Sequence, residues 1–192
     1  MPVPNPAALD FLRTRRSRPA KTLTTPVPSR EELVELLTIA ARAPDHGKLE
    51  PWRFVVLERP ALARLAEAVD AYGVAKGKDD ESIQKMRDQF GNADLAVAVV
   101  SSPKPSGKIP GIEQVLSAGA VCLSLLNACL AAGWGANWLS GWASHDGSFT
   151  EAELGLASYE TIAGLIHIGT ETTPPPERPR PDVAAITTWV DS

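Results

Sequence analysis

A chain of 192 residues with 44% hydrophobic side chains is long enough to bury one sizeable core and fits a single domain. Its 19 basic and 23 acidic residues leave a formal net charge of -4, which argues against a dedicated nucleic-acid binder, since such proteins concentrate basic charge against phosphates. The N-terminus carries no charged-then-apolar leader and the apolar runs read as too short for a bilayer, so a cytoplasmic protein with no membrane contact is expected.

Asn5 to Arg16 reads as a first helix, with Asn5 as N-cap, Pro6 at the first helical position, and Leu9 and Leu12 facing inward beside Ala8. A basic knot, Arg13-Thr14-Arg15-Arg16-Ser17-Arg18, closes it, and Pro19 stops the helix and splays these side chains into a loop. Cations are favourable at any helix C-terminus. Four arginines in six residues of an acidic protein also make a phosphate clamp, because guanidinium forks and the Ser17 hydroxyl match phosphate oxygens.

After a linker at Pro26 to Pro28, Ser29 opens a second helix with Glu32 placed for a capping box and Leu33, Leu36, Leu37 and Ala40 as its core stripe. This helix leads into Ala40 to Glu58, AARAPDHGKLEPWRFVVLE, around which the chain is organised. The helical run stops at Ala43-Pro44, a polar turn carries Asp45, His46, Gly47 and Lys48, and Phe54 to Leu57 reads as a buried strand. Such a corner can seat a ligand on a rigid frame, and it is equally an ordinary way to leave a helix. Pro60 to Lys76 reads as an amphipathic helix with Leu62, Leu65, Ala66 and Val69 inward. The charged segment Lys76 to Asp88 reads as a surface helix, with a mobile flap as the alternative. Asp94 to Val100 is a strand covered on both faces, and Ser101 to Pro110 is a loop.

Ile112 to Ala132 is apolar or small almost all round, so it should be buried on every side, most easily at the centre of a homodimer. Cys122 and Cys129 lie seven apart on one face of it, roughly 10 Å along the axis, too far to bridge, and read as reduced core residues. Gly133-Trp134-Gly135 ends the helix, and Ala136 to Gly141 forms a short strand and turn. Thr150 opens a brief helix, and Thr161 to Ile168 is a third core strand ending at Gly169. From Pro174 to Pro181 the chain is proline-rich and extended, so residues 174–192 form a tail that wraps a neighbour.

The usual glycine-rich phosphate loops are missing, and the three histidines, His46, His145 and His167, offer no metal-ligand spacing. Leu139 and Trp138 before Ser140-Gly141 break any hydrolase nucleophile elbow. A basic clamp, a polar histidine turn, an aromatic-flanked turn and an apolar dimer core suit a flat, apolar, phosphorylated cofactor.

RTRRSRP, ARAPDHGKLEPWRFVVLE, the long small-residue helix followed by GWGANWLSG, and GLIHIGT before a proline-rich tail together resemble the nitroreductase family of flavin enzymes, nearest to its small bacterial YdjA-like branch. The resemblance is collinear over about residues 8 to 180, and APDH-x4-PW is its most specific motif. It implies an α/β (α+β) fold, with a mostly antiparallel sheet flanked by helices and a long buried central helix. It also implies a homodimer holding FMN at its interface and passing hydride from NAD(P)H to nitroaromatics, quinones or similar electrophiles. Arg15, Arg16 and Ser17 match the family's phosphate-end contacts. Arg42 and His46 match residues that approach the flavin, the histidine reaching across the dimer. Trp138, Leu139 and Ser140 match a W-R-S turn against FMN, with Leu139 in place of the arginine and Arg178 or Arg180 as a compensating cation. Ala128, Cys129, Leu130, Ala131, Ala132 and Gly133 match a segment linked to the nicotinamide cofactor, and Glu50 stands where glutamine is common. The loss of the arginine at Leu139 keeps a flavin carrier or sensor open as an alternative to an enzyme, and a dimeric interaction module that has lost the flavin as a third reading.

Overall fold

The computed structural model describes residues 2–191. Six helices run in chain order, α1 (Pro6–Thr14), α2 (Arg30–Ala40), α3 (Arg59–Ala75), α4 (Asp80–Gly91), α5 (Gly111–Ala131) and α6 (Gly147–Leu154). They surround strands β1 (Leu23–Thr24), β2 (Trp52–Glu58), β3 (Leu95–Ser101), β4 (Gly135–Leu139) and β5 (Thr161–Glu171). Every pairing is antiparallel. β5 pairs with β3 along one edge and with β4 and then β1 along the other, while β2 extends the sheet beyond β3.

The strand period of two divides the core between two faces of this sheet. Ala96, Ala98 and Val100 of β3 join Leu62, Leu65, Val69, Phe90 and Phe149 on the face covered by α3, α4 and α6. Leu95, Val97 and Val99 join Leu33, Leu36, Val121, Leu125 and Cys129 on the face covered by α2 and α5. β3 is buried at every position, as expected for a strand covered on both sides. The charged segment before β3 is a helix, α4, which turns Ile83, Met86 and Phe90 into the core. Both cysteines are free and buried, and burial pushes each thiol up to about 12.

Several sequence expectations are corrected. α1 ends at Thr14, because Arg15 already has extended backbone at φ -55 and ψ 140, and it buries no residue, Leu9 and Leu12 being exposed. β2 is an edge strand with only Leu57 buried, since nothing pairs with its outer side. α6 starts at Gly147 on an Asp146 cap, which accepts the Phe149 N–H at 2.9 Å, so Thr150 lies inside the helix. The two-residue β1 was not foreseen, and β5 continues past Gly169 to Glu171 to pair with it. α5 is long and apolar enough to cross a membrane by length and composition, contrary to the reading of short apolar runs, and half of that window is packed inside this fold. Nor is α5 buried all round. Ile112, Val115, Leu116 and Leu123 recur at helical spacing and stand exposed, 46% or more each.

His167 on β5 is 2% exposed, and this burial pushes its imidazole down to about 4 from 6.5. Between those values the unfolded chain binds more protons than the folded one, so stability falls as pH is lowered through that window. The expected loss is on the order of 3 kcal/mol. Urea unfolding at about pH 7 and about pH 4 should show a loss smaller by that amount in His167→Leu than in the wild type, the remainder in both coming from carboxylates such as Asp146 and Glu160, each held down to about 2.

Candidate functional site

The basic knot lies in the extended segment that follows α1. The Arg18 N–H donates to the Ala136 carbonyl at 2.8 Å, tying this segment to β4, and the Arg18 guanidinium is neutralised by Glu171 at 3.4 Å. Arg18 is therefore structural. Arg15 donates from Nη2 to the Ser17 hydroxyl at 3.2 Å, while its Nε is buried without a hydrogen-bond partner. Burial, then the nearby Arg180 and Arg16, lowers the Arg15 guanidinium from its ordinary value. A buried donor with no acceptor, among guanidinium groups, is what an anion would satisfy.

The tail completes the hollow. Arg15, Arg16, Ser17, Asn137, Arg178 and Arg180 line a cavity of about 440 Å³. Glu177 sits at its rim, accepting from Arg16 at 3.2 Å and pairing with Arg180 at 3.0 Å. The Arg178 N–H, then Arg16 and Arg180, hold the Glu177 carboxyl below its usual range. An internal carboxylate thus stands against two of the guanidinium groups.

Trp138, Leu139 and Ser140 lie at the end of β4 and just beyond it. Leu139 pairs with Leu165 and is half-buried, whereas Ser140 is exposed. Trp138 lays its indole over Gly164 of β5, where an added Cβ would collide with the ring. Gly164 is therefore what lets Trp138 lie flat against the sheet. By strand alternation Asn137 shares a face with Leu139, and it is Asn137 that reaches the arginine hollow.

The histidine turn forms a second, separate hollow. Asp45 precedes a short 3₁₀ turn, His46–Lys48, in which Gly47 has φ 73 and Lys48 φ 54. Asp45 accepts the Glu50 N–H at 2.6 Å, and Ser117 of α5 donates to the Pro44 carbonyl at 2.8 Å while accepting from Trp52 Nε1 at 3.1 Å. The turn is thus pinned to both β2 and α5. His46 Nδ1 lies 2.5 Å from Oε2 of Glu113, and these two residues line an open cleft of about 500 Å³ with Leu116, Ser117 and Ala120. Arg42 is exposed on the approach to the turn. Among the described residues none lines both this cleft and the arginine hollow.

The segment Ala128 to Gly133 lies elsewhere again. Ala128 and Cys129 are buried against the sheet, Leu130 is half-buried, and Ala131, Ala132 and Gly133 are exposed. Ala128, Ala131 and Ala132 border a groove shared with Glu32 and Glu35. Two carboxylates beside this groove oppose the diphosphate of a dinucleotide.

A family model described as the Nitroreductase family matches residues 12–170. The chain belongs to the nitroreductase family. It is 34% identical over 163 residues to the Escherichia coli K12 protein named "Putative NAD(P)H nitroreductase YdjA", a match covering 85% of this chain and 87% of that one. Among solved structures it resembles a nitroreductase-like family protein of Bacillus cereus, 22% identical with a TM-score of 0.79 and both chains fully covered. It also resembles a point variant of the FMN and NADPH-dependent nitroreductase NfnB of Sphigopyxis sp. strain HMH, 21% identical with a TM-score of 0.74, covering 95% of this chain and 98% of that one. These structures share the nitroreductase fold seen here, an antiparallel sheet between helical layers.

Sequence reading missed Asn137, Gly164, Glu113 and Glu177. All four act through contacts with residues far along the chain, and none belongs to a local motif that marks it. Replacing Glu177 with Gln removes the internal counter-charge while keeping a similar shape. Inorganic phosphate, read by its rise in melting temperature, should then bind roughly fivefold more tightly, and Arg178→Ala with Arg180→Ala should weaken it.

Proposed function

We propose that this nitroreductase family member is an FMN-dependent oxidoreductase acting with NAD(P)H on nitroaromatic, quinone or similar electrophilic acceptors. The observation that carries the cofactor assignment is the unsatisfied, buried Arg15 Nε in a guanidinium-lined hollow. The donor set fits a phosphate monoester: Arg15 and Ser17 are already oriented toward each other, and Arg178 and Arg180 supply the positive charge that Leu139 does not. When bound, FMN would supply two-electron hydride transfer, accepting from NAD(P)H and donating to the electrophile in a ping-pong sequence.

The protein's own contribution is binding, orientation and exclusion of water. In this reading the phosphate end rests on Arg15, Arg16 and Ser17, with Arg178 and Arg180 closing over it from the tail. Leu139 shares the face of Asn137 and, with Ser140 after it, borders this end of the site, whereas Trp138, laid over Gly164, gives an apolar wall on the opposite face of β4. His46 approaches from the separate cleft and Arg42 from the exposed residues just before it, so the complete site combines residues of two subunits. The exposed apolar stripe of α5 supports that homodimer, because Leu116 belongs both to the stripe and to the His46 cleft. The NAD(P)H donor binds beside the flavin, and the acidic border at Glu32 and Glu35 weighs against the Ala128 to Gly133 segment as its diphosphate site. The domain reading is one nitroreductase-like unit over 1–192 with an extended tail from about 174, in the cytoplasm.

The purified protein, supplied with FMN and freed of unbound flavin, should keep a visible flavin band that bleaches anaerobically on adding NADH or NADPH. A retained band that does not bleach would favour the carrier or sensor reading that Leu139 raises, and no band would leave the fold alone. Arg15→Ala should weaken FMN binding by about 1.5–3 kcal/mol, the value of a hydrogen bond to a charged group, measured by flavin fluorescence titration.

A further inference from the structure

The His46 ring is 62% exposed, and its one side-chain hydrogen bond runs from Nδ1 to Glu113, 67 positions away on α5. Glu113 occupies the third position of that helix, after Pro110 as N-cap. A glutamate there ordinarily turns back to the N-cap backbone N–H, but proline has none to give. Its carboxylate extends to the histidine turn instead. The backbone beneath the ring is already held by Ser117 at Pro44 and by Asp45 at Glu50. What remains free is ring rotation and the choice of tautomer, and the Glu113 contact acts on both.

We propose that Glu113 is the positioning residue of His46. Its carboxylate accepts the Nδ1–H, fixing the plane and tautomer of the ring so that Nε2 offers a lone pair to a ligand group that donates a hydrogen bond. Among the described residues none hydrogen-bonds Nε2, and the ring is exposed. A ring imide N–H or a sugar-alcohol hydroxyl is the complementary class, and a flavin nucleotide carries both. This deepens the reading of His46 as a cofactor contact and rests on it. A simple surface ion pair would behave differently, since exposed pairs are worth little and impose no tautomer.

The experiment is ¹⁵N spectroscopy of the imidazole nitrogens in the full-length protein with the ring neutral, followed by FMN titration of the same samples. In the wild type the His46 proton should reside on Nδ1. Glu113→Gln should preserve that state, because an amide oxygen still accepts the bond, whereas Glu113→Ala should revert to the Nε2–H form that predominates for histidine in water. FMN should bind about threefold to tenfold more weakly to Glu113→Ala and near wild-type strength to Glu113→Gln. A wild-type ring already in the Nε2–H form, or one unchanged by Glu113→Ala, overturns the assignment of Glu113. A locked tautomer in a protein that binds no FMN upholds the positioning and overturns the FMN reading of the site. A change in tautomer with unchanged FMN affinity removes His46 Nε2 as a ligand contact.

Discussion

Strand β5 must find hydrogen-bond partners on both of its edges, since its interior residues from Ile162 to Ile168 are largely buried and unpaired backbone groups there would be costly. β3 supplies one edge, and β4 with β1 supplies the other. The arginine hollow and the turn after β4 hang from that arrangement. β4 brings Asn137, Trp138 and Leu139 to their places, and β1 anchors the far end of the segment that leads from the basic knot. Gly135 against Gly169 and Trp138 over Gly164 show how closely these pieces approach, because a Cβ at any of the three glycines would meet the backbone or a side chain of a neighbouring strand.

The arginine hollow illustrates a charge arrangement that is incomplete within the chain itself. Burial first, and then the nearby guanidinium groups of Arg180 and Arg16, lower Arg15 from its ordinary value. Glu177 offsets Arg16 and Arg180 but leaves Arg15 Nε without an acceptor. The like charges repel, and water screens the exposed Arg180 while the partly buried Arg15 and Arg16 are screened less. Such an arrangement favours an anion strongly, and a phosphate with several acceptor oxygens relieves both the repulsion and the missing bond. In the proposed site Glu177 would set a threshold, since an incoming anion would compete with it for Arg16.

Helix α5 has two faces with opposite demands. Val121, Cys122, Leu125 and Cys129 fill the core beneath the sheet. Ile112, Val115, Leu116 and Leu123 point away from it. An apolar surface of this kind is costly in water, and the homodimer proposed above would cover it. The same helix holds the histidine turn through Ser117 and Glu113, so packing on its exposed side and placement of His46 are mechanically linked.

What the sequence determined by itself was everything set by neighbours in the chain. The Ser29 and Glu32 capping box, the Asn5 cap, the apolar stripes of α2 and α3, and the fully buried β3 are consequences of spacing, and the structure contains each of them. Arg15 and Ser17 were legible for the same reason, being two residues apart. Tertiary structure alone decided that β2 lies at an edge, that α1 buries nothing in one chain, and that Glu177 faces Arg16 across 161 positions. It alone placed Glu113 on His46, Gly164 under Trp138 and the tail arginines over the basic knot. A local pattern encodes which face of an element is apolar, while the path of the chain between elements decides which polar groups meet, and that path is fixed only when the whole core packs.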